Sequence, residues 1–219
     1  MRYEEYIKNI MEAFKNDSLI PANAFPRMDL YNDQVTGFLN EQLKIYKESE
    51  GDPVITKTMI SNSIKNNMLP KPDRKKYSHD HMILLAMIFY LKSTFQMSEI
   101  ELILAPFVNN YGSTFDEKFD LHRLYEAVFP LLKKEREESA KAIQNSVDSI
   151  KQAMWDSGVE DDDATELLFM MLYLAVRADA AKFTANKMLA KYFTKLKEKP
   201  KKKRAKTAND DRILDDRIL

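Results

Sequence analysis

The chain has 219 residues, 44% apolar and 31% charged, a mixture typical of folded globular proteins rather than of disordered chains. Its 34 basic and 34 acidic side chains cancel, so any nucleic-acid binding must come from a local patch of charge. The absence of cysteine excludes disulfides, thiolate metal sites and thiol redox sensors, and the scarcity of glycine, with four residues, favours helices over turn-rich sheets.

The N-terminal stretch, MRYEEYIKNIMEAF, spaces its apolar residues as a helix does and lacks the basic-then-apolar order of a signal peptide. Two apolar runs, 82–91 and 167–176, have ten residues each, whereas a helix needs about 20 to cross a bilayer. We therefore expect a cytoplasmic protein that does not enter the membrane. Both runs are predicted to be helices buried in the core or in a subunit interface.

After a proline-bounded loop at 20–26, a helix is predicted from about 30 to 47, and the Gly-Asp-Pro sequence at 51–53 ends it. A short helix then follows over 56–67. Its apolar residues Ile60, Ile64 and Met68 recur at four-residue spacing and mark the inner face. The outer face carries Thr58, Asn62, Lys65 and Asn66.

This outer face has the residue types that read the major groove of DNA. Asn can bond an adenine edge in bidentate fashion, Lys can reach guanine, and Thr permits close approach. Residues 54–77 hold six basic side chains against one acidic, a local charge of +5, whereas residues 1–53 carry −4. Such a local concentration of positive charge is typical of surfaces that bind phosphates, although runs of basic residues are also common on solvent-exposed faces that bind nothing.

The order of the segments is more specific than the charge. It runs through 56–60, Met68-Leu69-Pro70, the basic stretch 74–77, the apolar helix of 82–91 and Gln96-Met97-Ser98-Glu99-Ile100. This order resembles the DNA-binding headpiece of MerR-type regulators, in which a recognition helix ends in Gly-Leu-Leu-Pro and an Arg/Tyr-containing wing follows. Asn67 precedes Met68-Leu69-Pro70 where that family has glycine, and Asn accepts the left-handed backbone better than most residues.

The resemblance implies that 56–67 is the recognition helix and 71–77 the wing. The stretch from Leu30 to Leu104 is also similar to an uncharacterised bacterial family, the domain-of-unknown-function family 1836, which is itself regarded as a MerR-like variant. The predicted DNA-binding residues are Lys57, Thr58, Asn62, Lys65, Asn66, Lys71, Arg74, Lys75, Lys76 and Tyr77.

The second half is predicted to be a helical hairpin or small bundle. One helix begins near Thr114, is interrupted at Pro130 and resumes to Met154, and another covers 165–197. We expect an all-α fold with room for a short β wing. Its domains are a MerR-like winged helix-turn-helix domain with N-terminal helices (1–110), a helical domain for dimerisation or partner binding (111–198) and a disordered charged tail (199–219). The tail's basic start is either a phosphate-binding arm or a solubilising segment.

The sequence gives little support for a metal site, a cofactor or an enzyme. His79-Asp80-His81 has no cysteine or matching ligand beside it, and Asp161-Asp162-Asp163 lacks the alternation of a calcium loop, so we predict no metal and no cofactor. No phosphate loop, nucleophile elbow or glycine-rich fingerprint occurs, and we expect no enzyme.

We therefore expect a transcriptional regulator that binds double-stranded DNA as a homodimer, with its effector unidentified. The alternative is a protein-interaction module that has the same fold and does not bind DNA.

Overall fold

In a computed structural model, described over residues 3–109, 120–159 and 162–193, the chain is built almost entirely of helices. The helices are α1 (Tyr3–Asp17), α2 (Asn32–Gln42), α3 (Lys57–Lys65), α4 (His79–Leu91), α5 (Met97–Val108), α6 (Leu121–Asp156) and α7 (Asp163–Met188). Two short strands, β1 (Leu30–Tyr31) and β2 (Lys76–Tyr77), pair antiparallel. The prediction of an all-α fold with a short β element is confirmed.

Helix α4 lies at the centre of the larger hydrophobic core. Its sequence is apolar on all sides, as expected of a helix surrounded by protein, and every residue from Met82 to Ala86 is buried. Buried side chains of α2, α3, α5 and the first turns of α6 complete this core. The apolar run of 82–91 is thus a core helix.

A second, smaller core joins α1, the C-terminal half of α6 and the first half of α7. Val147, Ile150 and Met154 of α6 pack there with Met170 of α7. The buried carboxylate of Glu166 accepts a hydrogen bond from the Tyr3 hydroxyl, and the Lys151 ammonium lies 3.6 Å from it. These partners offset the cost of burying a charge between the helices.

Two helices differ from the sequence prediction. Helix α2 begins at Asn32 because Leu30–Tyr31 is extended and paired with β2, and its helical turns end before 47. The predicted interruption at Pro130 is wrong, because α6 continues through this proline. Buried contacts on both sides, made by Tyr125 before it and Ala140 after it, outweigh the cost of a proline within a helix, about 3 kcal/mol.

The predicted domain division stays a prediction. The boundary at 110–111, the predicted helix start near 114 and the tail 199–219 lie outside the described residues. Of the residues that are described, Leu121 and Tyr125 still belong to the larger core. None of the described helices is both long enough and apolar enough to cross a membrane.

Candidate nucleic-acid interface

Helix α3, the predicted recognition helix, is fixed at both ends by local hydrogen bonds. The Thr56 hydroxyl accepts from the Met59 amide at 3.1 Å and caps the start. At the other end the Met68 amide donates to the Ser63 carbonyl at 2.9 Å and the Asn67 amide to the Ile64 carbonyl at 3.1 Å, which is the Schellman arrangement. Asn67 has φ 53°, so the left-handed backbone predicted for it is confirmed.

The two faces of α3 lie as the sequence predicts. Ile60 and Met68 are fully buried, and Ile64 is half-buried. The outward side chains of Thr58, Asn62, Lys65 and Asn66 are all exposed. The Asn66 amide donates to the Asn62 backbone carbonyl at 2.8 Å, whereas the Asn62 side-chain amide makes no hydrogen bond within the described residues. Asn62 therefore presents an amide free to donate and accept.

The predicted wing is a tight turn that ends in β2. The Lys76 amide donates to the Asp73 carbonyl at 2.7 Å, and the two residues between them, Arg74 and Lys75, have φ values of 45° and 65°. Two successive left-handed residues are typical of a type I′ turn, which usually selects Asn or Gly. A side chain in this conformation costs roughly 1–2 kcal/mol per residue. The turn thus holds two cations at its tip in spite of backbone strain.

Most of the positive charge in 54–77 is not neutralised by the protein. Lys65, Lys71, Arg74, Lys75 and Lys76 are exposed, and no carboxylate of the described residues lies within 4.0 Å of them. Lys57 differs, because it pairs with Asp33 of α2. Both partners of that pair are largely exposed, so the pair contributes about 0–1 kcal/mol and a phosphate can replace Asp33 at little cost.

Tyr77 requires a correction to the predicted set. Its side chain is only 5% exposed, its hydroxyl accepts from the Asn32 amide at 3.2 Å, and its ring packs edge-on against His81. Successive side chains of a strand point to opposite faces, so the exposure of Lys76 directs Tyr77 into the core. Tyr77 therefore anchors the turn, and its buried side chain does not share the exposed surface of the other predicted residues.

The N-terminal end of α2 brings the turn and α3 together. Lys57 at the start of α3 contacts Asp33, and the Lys76 ammonium lies 5.6 Å from the centre of the Tyr31 ring. Behind them, the Asn40 side chain donates to the Ile55 carbonyl at 2.8 Å and accepts from its amide at 3.0 Å. Through these contacts the N-terminal end of α2 holds Lys57 and Lys76, and with them the start of α3 and the basic turn, near one another.

The histidines serve structural contacts. His79 Nε2 lies 2.9 Å from His122 Nδ1, so these nitrogens face each other in a hydrogen bond. Burial lowers the pKa of His81, an effect that hydrogen bonds to the backbone of Pro70 and Lys71 partly offset. No group of three or more potential metal ligands occurs in the part of the chain that the structure describes.

Comparison with known proteins places this surface within one family. Residues 20–128 match the model of DUF1836, a domain of unknown function. The sequence resemblance to this family is thereby confirmed over a span that includes α2 to α5 and the start of α6. No curated protein and no solved structure matches the chain. The likeness of residues 56–77 to a MerR headpiece stays a prediction.

The strained turn yields a first testable prediction. Lys75→Gly relieves the left-handed strain but adds flexibility to the unfolded chain, so we expect the free energy of unfolding to rise by about 0.5–1 kcal/mol in urea denaturation. The control, Lys71→Gly, removes the same charge at a residue without positive φ and should not stabilise the fold. An equal fall in the free energy of unfolding for both substitutions would contradict backbone strain at Lys75.

Proposed function

We propose that this protein is a transcriptional regulator that binds double-stranded DNA through residues 54–77. In this proposal α3 enters the major groove and the turn at 73–76 lies along the phosphate backbone. The observation that carries it is the set of exposed, unpaired cations of 65–76, together with a free side-chain amide at Asn62 on a short, well-capped helix.

Each part of the surface suits a different kind of contact. Lysine and arginine at phosphates release counterions, which gives affinity without regard to sequence. Asn62 and Lys65 face outward from the middle and end of α3, where side chains reach base edges and supply discrimination. The strain at Arg74 and Lys75 supports the same assignment, because strained backbone tends to be retained at functional sites. We assign no catalytic role to the surface.

The proposal predicts two distinct mutant phenotypes. Lys75→Ala should weaken binding to selected and random duplexes alike and reduce the slope of log affinity against log salt by about one. Asn62→Ala should cost about 1–3 kcal/mol on a selected duplex and much less on a random one. Fluorescence anisotropy over a salt series measures both effects.

The matched control is Lys133→Ala, which removes an exposed charge from a different helix, α6. It should leave affinity and salt slope unchanged. If Lys133→Ala and Lys75→Ala weaken binding equally, the association is non-specific attraction to the whole protein. If Asn62→Ala has the same effect on both duplexes, α3 does not read bases.

We further propose that the protein is a homodimer joined through α7. Unlike the run in α4, the apolar run of 167–176 is largely exposed in the part of the chain that the structure describes. Eight large apolar side chains of α7 are 38–71% exposed: Leu167, Leu168, Met171, Leu172, Tyr173, Val176, Phe183 and Met188. Together they present on the order of 500–800 Å², which approaches the roughly 800 Å² that each partner contributes to a standard interface.

The charges along α7 favour a second copy of the chain as the partner. Asp162 and Asp163 lie at its start, whereas Lys182, Lys187 and Lys191 lie towards its end. A two-fold axis across the helix places the acidic end of one copy beside the basic end of the other. The alternative partner for the same face is an unrelated protein, as expected if the chain is a protein-interaction module.

Light scattering tests the dimer. The wild-type protein should have the mass of two chains at micromolar concentration, and Leu172→Lys should raise the dissociation constant at least tenfold by placing a charge in the apolar face. Ala181→Lys, at an exposed position on the same helix about 180° away around its axis, serves as the control. A wild-type monomer, or equal dissociation by both variants, would contradict the α7 interface.

A further inference from the structure

A cavity of about 690 Å³ lies beside the larger core, next to the start of α3. Four aromatic side chains contribute to its walls: Phe14 of α1, Tyr46 from the turn after α2, and Phe89 and Tyr90 of α4. The volume falls within the range of about 300–1,000 Å³ that small-molecule sites occupy. None of these residues belongs to the proposed DNA-binding surface.

The aromatic walls are held in place by the fold. The Tyr46 hydroxyl donates to the Ser18 carbonyl at 3.2 Å, and the Tyr90 hydroxyl accepts from the Ile20 amide at 2.8 Å. The rings of Tyr46 and Phe89 meet edge to face with centres 5.0 Å apart. Since both hydroxyls are already bonded, these residues offer a ligand mainly their ring surfaces, and little ordering is required on binding.

Two cations are positioned on these walls without a counterion. The Arg136 guanidinium lies 4.3 Å from the centre of the Phe14 ring, and the Lys92 ammonium lies 4.5 Å from that of Phe89. No carboxylate oxygen of the described residues is within 4.0 Å of either. Burial against these walls lowers the pKa of Lys92, although the side chain as a whole stays open to solvent. An anion in the cavity would stabilise the charged form of Lys92.

The remaining charges of the lining lie on the turn after α2. Lys47 adds a third cation, and Glu48 and Asp52 add two carboxylates, so the cavity as a whole keeps a net positive charge. All three of these side chains are exposed to solvent. Lys92 is exposed as well, whereas Arg136 is half-buried. What distinguishes Arg136 and Lys92 is that they lie against the aromatic walls, so these are the two cations that an aromatic anion would meet.

We propose that this cavity binds a small aromatic carboxylate. The apolar body of the ligand lies among the four rings, and its carboxylate accepts hydrogen bonds from Arg136 and Lys92. The planar guanidinium of Arg136 can donate two parallel hydrogen bonds to a carboxylate. A neutral ligand of the same shape cannot form this charged pair.

The cavity also reaches the helix that is proposed to read DNA. Thr56 lines the cavity and caps α3 through the Met59 amide, and Val54 precedes it on the same wall. A ligand that touches Thr56 would shift the start of α3 and so change the affinity for DNA. This regulatory step rests on the proposed function, whereas ligand binding itself does not.

Isothermal titration of the full-length protein with 1-naphthaleneacetate tests the site. We expect saturable binding of one molecule per chain, with at least tenfold weaker binding of the neutral 1-naphthaleneethanol. Arg136→Met should also weaken binding of 1-naphthaleneacetate at least tenfold. Arg123→Met, at a largely exposed position of the same helix, should leave it unchanged. If Arg136→Met has lost helical circular dichroism, Lys92→Met takes its place with the same expected loss.

The absence of saturable binding at millimolar probe, equal binding of the acid and the alcohol, or equal affinity in all variants would overturn the proposal. Binding to DNA is measured separately with and without the probe. A probe that binds to a protein without DNA affinity supports the cavity and contradicts the regulator. DNA binding without any probe binding supports the regulator and contradicts the cavity as a ligand site.

Discussion

The pairing of β1 with β2 is the contact on which the candidate DNA-binding surface depends. Opposite Leu30, Tyr77 is buried between its hydroxyl partner Asn32 and the ring of His81, and opposite Tyr31, Lys76 faces solvent. The four residues of this ribbon hold the basic turn at the same end of α2 that receives Lys57. Without the pairing, the turn would be an exposed loop with no fixed position relative to α3.

The surface and the cavity meet at Thr56, so one short segment connects two proposed activities. Residues 54–56 are held on one side by the amide of Asn40 and lead directly into α3. A ligand in the cavity and DNA on α3 would therefore act on the same few backbone atoms. Such coupling requires only a small shift of a capped helix, because the two sites share its first turn.

Local features of the sequence predicted α3 well, whereas contacts between distant segments did not follow from it. The period of Ile60, Ile64 and Met68, the cap at Thr56 and the left-handed Asn67 depend on neighbouring residues alone. The partner of β2 lies more than forty residues away at Leu30–Tyr31, and no pattern in either dipeptide marks it. For this reason the sequence predicts a DNA contact at Tyr77, although the side chain is buried. The predicted break at Pro130 is wrong because packing with distant residues keeps α6 helical. The cavity combines residues from α1 to α6, a grouping that only the fold reveals.

The proposed function requires that this protein recognise particular DNA sequences through residues 54–77. Selection of binding sites by the purified full-length protein from a random duplex library, at about 0.1 M salt, tests this requirement. We expect an enriched motif with two-fold symmetry and half-sites about one helical turn apart, as a symmetric dimer requires. A library that remains random after repeated rounds, although the protein is folded and dimeric, would contradict it.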